Sequence, residues 1–99
     1  MTSTEQDQYI KQVFDYEDTG YQAAESGEYA KAIGVWVAIL SDESRRGCFS
    51  EEAHGEMAFN LAAAYYLTGD DASFEQTVSN WSISKDDQQK IKDAVQEEA

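Results

Sequence analysis

The sequence predicts an all-α fold: about five helices, paired as two stacked antiparallel hairpins with a C-terminal capping helix. Three observations predict it. Proline is absent and glycine sparse, at 6 of 99 residues, which disfavours a turn-rich β-fold. Apolar residues recur at steps of three and four along most of the chain. Gly27 and Gly69 stand where helices are expected to end in the left-handed conformation. A chain of this length forms one domain and buries roughly two thirds of its unfolded surface.

In order, Ser3 and Gln6 read as a capping box opening a long helix that runs to about Ser26. Tyr9, Val13, Tyr16, Gly20 and Ala24 share one of its faces. A second helix, about Glu28 to Asp42, carries the stripe Tyr29, Ala32, Ile33, Trp36, Ile39 and Leu40. The first hairpin therefore spans residues 3–42. SDESRRGCFS is polar and reads as a loop, with residues 43–50 joining the hairpins. Ser50 caps a third helix, about Glu51 to Thr68, with Glu51 and Glu52 in the first turn where the helix dipole favours them. From Met57 to Leu67 this helix has almost no polar face, so neighbours should surround it, and Asn60 is the interruption. Asp70 or Asp71 caps a fourth helix bearing Phe74, Val78 and Trp81, completing a second hairpin over residues 51–82. Ser84 with Asp87 opens a last helix, within residues 84–98, whose only apolar positions are Ile91, Ala94 and Val95.

Aligned on Gly27 and Gly69, the halves correspond at an offset of 42 residues: Tyr16 falls on Ala58, Gly20 on Ala62, Ala24 on Tyr66 and Trp36 on Val78. Gly20, Gly27, Tyr29, Ala32, Trp36 and Ile39 together resemble the tetratricopeptide repeat, and the Sel1-like repeat is similar. The second half fits through Leu61, Ala62, Tyr65 and Gly69, but Phe74 stands where the family has a small crossing alanine. The helix-ending proline is missing from both halves, and the period exceeds the usual length of about 34 residues. Small residues let paired helices approach to roughly 8–10 Å, with large ones such as Trp36 and Trp81 interdigitating beside them.

The resemblance implies that the first helix of each hairpin lines a concave binding surface. Carried over, that lining is Phe14, Glu17, Tyr21 and Glu25, then Glu56, Phe59, Ala63 and Tyr66. Periodicity separately puts Phe14, Glu17 and Tyr21 on one line and Phe59, Ala63 and Tyr66 on another. The last helix either leaves this groove open or folds back and fills it. Family members that clamp carboxylate termini use basic residues and asparagines there, and Glu17, Glu25 and Glu56 speak against that mode. A stripe of small residues, Ala30, Gly34 and Ala38, lies on the second helix away from Trp36 and suits close approach by another helix, including a second copy in a homodimer.

Charge sets the expected partner. Twenty acids oppose seven bases, for a net charge of −13, so direct binding to nucleic acid phosphates is not expected. Residues 1–27 hold six acids and one lysine, and residues 48–82 six acids and no base; residues 28–47 balance. Acids and aromatics thus coincide on the helices expected to line the groove, which suits a basic or amphipathic segment of a partner protein and an adaptor or chaperone role. The alternative is an acidic inhibitor or immunity protein that mimics phosphates with exposed acids such as Asp15, Asp18, Glu51, Glu52 and Asp70.

No enzyme is expected. His54 is the only histidine, and it reads as a surface residue without partners for acid–base or metal chemistry. Phosphate-loop, serine-elbow and cysteine-pair motifs are absent, and neither metal nor cofactor is expected. Cys48 alone makes no internal disulfide and reads as a bystander thiol. With no signal-peptide pattern and no membrane span, a cytoplasmic protein is expected.

Overall fold

The structure, a computed structural model, describes residues 3–98, with only the backbone described for residues 95–98. Six helices and no strand are found among the described residues: α1 (Ser3–Glu25), α2 (Tyr29–Leu40), α3 (Glu43–Arg46), α4 (Glu51–Leu67), α5 (Asp71–Trp81) and α6 (Lys85–Glu98). α1 pairs with α2 and α4 with α5, giving two helix hairpins, and α2 packs against α4 to stack one on the other. α6 caps the stack, principally against α4.

Both hairpins turn in the same way. Gly27 (φ 81°) and Gly69 (φ 79°) adopt the left-handed conformation that a side chain resists. Glu28 N–H donates to the Ala23 carbonyl at 2.8 Å and Gly27 N–H to Ala24 at 3.1 Å. Asp70 N–H to Tyr65 at 2.9 Å and Gly69 N–H to Tyr66 at 3.2 Å repeat this arrangement 42 residues on. These pairs of bonds satisfy carbonyls that the ends of α1 and α4 would otherwise leave open.

The larger core cluster gathers Ala23 from α1, Ala32, Val35, Trp36, Ile39 and Leu40 from α2, and Met57, Ala58, Leu61 and Ala64 from α4. Gly20 is needed where α1 crosses α2, because a Cβ there would lie 2.9 Å from Val35 Cγ1 and 3.2 Å from Trp36 Nε1. A second cluster joins Ala62, Phe74 and Ile91. Ile91 is 1% exposed and is the only buried side chain of α6 among the described residues, worth roughly 1.5–3 kcal/mol.

Several elements depart from expectation. Ser3 is already helical and so does not cap α1. The stretch read as a loop contains the single-turn α3, because Asp42 accepts a hydrogen bond from Ser44 N–H at 2.9 Å and Arg45 and Arg46 fall in its last turn. On α1 the buried face is Val13, Gly20 and Ala23, while Tyr16 is exposed. Tyr16 lies on the flank of that face, its ring under the Arg45 guanidinium, although Val13, a turn farther from Gly27, is buried. Trp36 is buried at 1% exposure, whereas Trp81 is half-buried. Ala94 is exposed and not part of an apolar stripe, and the Val95 side chain lies outside the described residues.

Candidate functional site

α1 and α4 place the predicted groove residues unequally. Tyr21 of α1 and Gly55, Glu56, Phe59 and Asn60 of α4, with Asp87 from the first turn of α6, line an open cleft of about 560 Å³. Tyr21 is anchored edge-on against Trp36, with ring centroids 5.3 Å apart. Three of the eight predicted lining residues, Tyr21, Glu56 and Phe59, thus meet around one cavity.

Glu17 borders this cleft electrostatically. Partial burial, then the charges of Asp18 and Glu56, raise its carboxyl above the ordinary value of 4.5. Tyr21 is pushed up to about 12 by burial and by Glu17 and Glu56, with a side-chain hydrogen bond from Asn60 acting the other way. Carboxylates of α1 and α4 therefore face one another closely enough to repel. The ion pairs found among the described residues occupy Asp42, Glu43 and Asp87 and involve neither Glu17 nor Glu56.

The other predicted residues separate into two groups. Ala63 and Tyr66 pack with Phe59 around the second core cluster, beneath Ile91 of α6, and Tyr66 meets Phe74 at 5.4 Å. The last helix therefore covers the Ala63–Tyr66 end of the groove and leaves the Tyr21–Glu56 end open, a division between the two arrangements considered from sequence. Phe14 is 43% exposed and packs against Phe49 with the rings tilted and their centroids 5.0 Å apart, and Glu25 is exposed at the end of α1; neither lines the cleft. Ala30 and Gly34 are exposed and Ala38 half-buried, and nothing lies within 4 Å of where a Gly34 Cβ would stand.

Gly55 and Asp87 join the site without having been expected there, and Asn60, which the sequence offered either as a backbone hydrogen-bonding residue or as a ligand contact, joins them. Asn60 Nδ2 donates to the Glu56 carbonyl at 2.8 Å, which holds the amide at the cleft wall. A polar residue interrupting an otherwise apolar helix was the available signal for Asn60; Gly55 carried none, and Asp87 read as a helix-start residue. A second cleft, of about 470 Å³, opens on the far side of α4 between α2 and α5, lined by Leu40, Leu61, Tyr65, Thr77 and Trp81 among others, and contains none of the predicted residues.

His54 is half-buried and not a surface residue: its Nε2 lies 2.7 Å from the Arg46 carbonyl, so that nitrogen carries the proton, and its ring faces Trp81 at 6.3 Å. Cys48 is half-buried, its thiol donating to the Ser44 carbonyl at 3.5 Å. Among the described residues no three His, Cys, Asp or Glu side chains are grouped to hold a metal ion, and no helix is long and apolar enough to cross a membrane.

Compared with protein-family models, curated proteins and solved structures, the chain matches none. The class defined by the coordinates is a stack of two helical hairpins with a capping helix, compatible with a helical repeat.

Proposed function

We propose that the protein is a small tetratricopeptide-like interaction module, an adaptor or chaperone, that holds a basic or amphipathic segment of a partner protein in the cleft between α1 and α4. The observation that carries this reading is the crowding of Glu17, Asp18 and Glu56 beside Tyr21 and Phe59, with Glu17 held above its ordinary pKa. A cation entering the cleft relieves that repulsion, and the two aromatic rings supply apolar and cation–π contact for its stem and head. The family-level reading is supported by the matching turns at Gly27 and Gly69 and by the close approach of α2 at Gly20.

The test uses a short amphipathic Leu/Lys helical peptide, with a Leu/Glu peptide of equal hydrophobicity as control. The Leu/Lys peptide should bind, and Tyr21→Ala, Phe59→Ala and Glu17→Lys should each weaken binding by about tenfold or more. Equal binding by the Leu/Glu peptide, or no effect of the three substitutions in folded protein, refutes the cleft. The phosphate-mimic alternative draws on the exposure of Asp15, Asp18, Glu51, Glu52 and Asp70. It requires binding that vanishes between low and moderate salt and is insensitive to Phe59→Ala, whereas apolar anchoring survives salt.

A further inference from the structure

We infer that α6 is a displaceable occupant of the groove, and that the segment this protein receives is a basic amphipathic helix that takes the place of α6. The inference rests on the proposed function and extends it from the open cleft to the surface that α6 covers.

α6 is held mainly from one side. Ile91 enters the cluster of Ala62 and Phe74, ringed by Phe59, Ala63 and Tyr66, while every other described side chain of α6 is exposed or half-buried. Its principal contact is α4, whereas α4 itself is packed by α2, α5 and α6. With Ile91 its one buried side chain among the described residues, α6 opens more readily than a helix enclosed by three others.

The open cleft and the seat of α6 are continuous. Phe59 belongs to both, and Asp87 of α6 forms part of the cleft wall. Lifting α6 joins the two into one trough from Tyr21 to Tyr66, lined by the aromatic residues of α4.

α6 also displays the chemistry that its seat accepts. Among its described side chains it lays one branched aliphatic residue, Ile91, flanked by Lys90 and Lys92, on the acidic half of the molecule, and it carries three of the seven basic residues of the chain. It is nevertheless a weak match. Asp86, Asp87 and Asp93 oppose the charge of its lysines, and the Lys90 ammonium is turned back toward Asp87 at 3.7 Å. A helix with the same central aliphatic residue and lysines in place of those aspartates complements the trough better and displaces α6.

The experiment uses full-length chains, wild type and Ile91→Asp, titrated with a fluorescent peptide of residues 83–98 bearing Asp86→Lys, Asp87→Lys and Asp93→Lys. Anisotropy should show binding to the Ile91→Asp chain about tenfold tighter than to wild type, whose seat is occupied, and none for the same peptide carrying Ile91→Asp. Equal binding to both chains, or none to an Ile91→Asp chain that circular dichroism shows to be helical, overturns the inference. Hydrogen exchange on the wild-type chain tests it without any substitution: α6 amides should exchange about 100-fold faster than those of Met57–Leu61, and equal protection overturns it. A Leu/Lys peptide that binds wild type through Tyr21 yet is indifferent to Ile91→Asp keeps the proposed cleft and refutes displacement. An unmodified 83–98 peptide that binds the Ile91→Asp chain as well as the lysine-bearing one keeps displacement and refutes the basic partner.

Discussion

Between α1 and α2 the chain reverses through Gly27, and between α4 and α5 through Gly69, with the same backbone hydrogen bonds 42 residues apart; at the position after the turn that Ala32 fills in the first hairpin, the second has Phe74. The first hairpin is tightly closed at its own crossing, Gly20 meeting Val35 and Trp36 without room for a methyl group, and α4 completes its core. The second is packed differently. Phe74 reaches Ala62, Tyr66 and Ile91, so its packing is completed by α6. The lesson is that one turn geometry can serve two purposes, and that a large residue at the crossing turns a hairpin closed at its crossing into one whose packing takes in a capping helix.

The sharpest way to break this comparison is to empty each core. Trp36→Ala and Phe74→Ala should each cost about 3–5 kcal/mol in urea denaturation. Their effects on α6 should differ: Phe74→Ala exposes the α6 amides to exchange, and Trp36→Ala leaves their protection relative to α4 unchanged. Equal loss at α6 in both variants means that the cap does not depend on the second hairpin in particular.

The shared turn makes a prediction of intermediate size. Gly27→Ala and Gly69→Ala should destabilise by similar amounts, about 1–2 kcal/mol each, because both must hold a Cβ in the left-handed region. Ser82 occupies that region too, at φ 51°, so Ser82→Gly should stabilise by up to about 1 kcal/mol. Thermal melts that separate Gly27→Ala from Gly69→Ala would show that the turns are alike in shape and unlike in energetic role.

The smallest effect concerns charge on the first hairpin. The raised pKa of Glu17 means that the fold holds its proton more tightly than the unfolded chain does. Ionised Glu17 therefore costs stability at neutral pH, and the cost disappears as pH falls through its raised value to below 4.5. Glu17→Gln should be slightly more stable than wild type at pH 7, with the advantage gone at pH 4, as read from paired urea curves. The opposite sign at pH 7 would indicate an unrecognised cation at the cleft.

Much of this architecture was legible because it is written in local pattern. Gly27, Gly69 and Ser50 mark ends and starts through backbone chemistry that acts over three or four residues. The apolar run of α4 announced a helix with neighbours on several sides, and clefts on its opposite faces flank that helix. What escaped depends on distant partners. Tyr16 has the periodicity of a core residue, but it sits at the edge of the buried face, under Arg45. His54 looks unpartnered in sequence, and its partner is the Arg46 carbonyl in a segment read as loop. At the site, Tyr21 and Phe59 were readable as faces of two separate lines and Glu56 through the repeat resemblance; which part of the groove α6 covers was not, because among the described residues its one buried side chain is Ile91. Phe14 and Glu25 obey the same helical spacing and still miss the cleft, since α4 lies opposite only part of α1.

The unequal burial of Trp36 and Trp81 gives the molecule two internal lamps of different colour. Trp36, sealed between α1 and α4, has no hydrogen-bond partner for its indole N–H among the described residues and should emit toward the blue. Trp81, half-buried beside the His54 ring, should emit further to the red. Spectral shift thus follows the two hairpins separately in a single unlabelled sample.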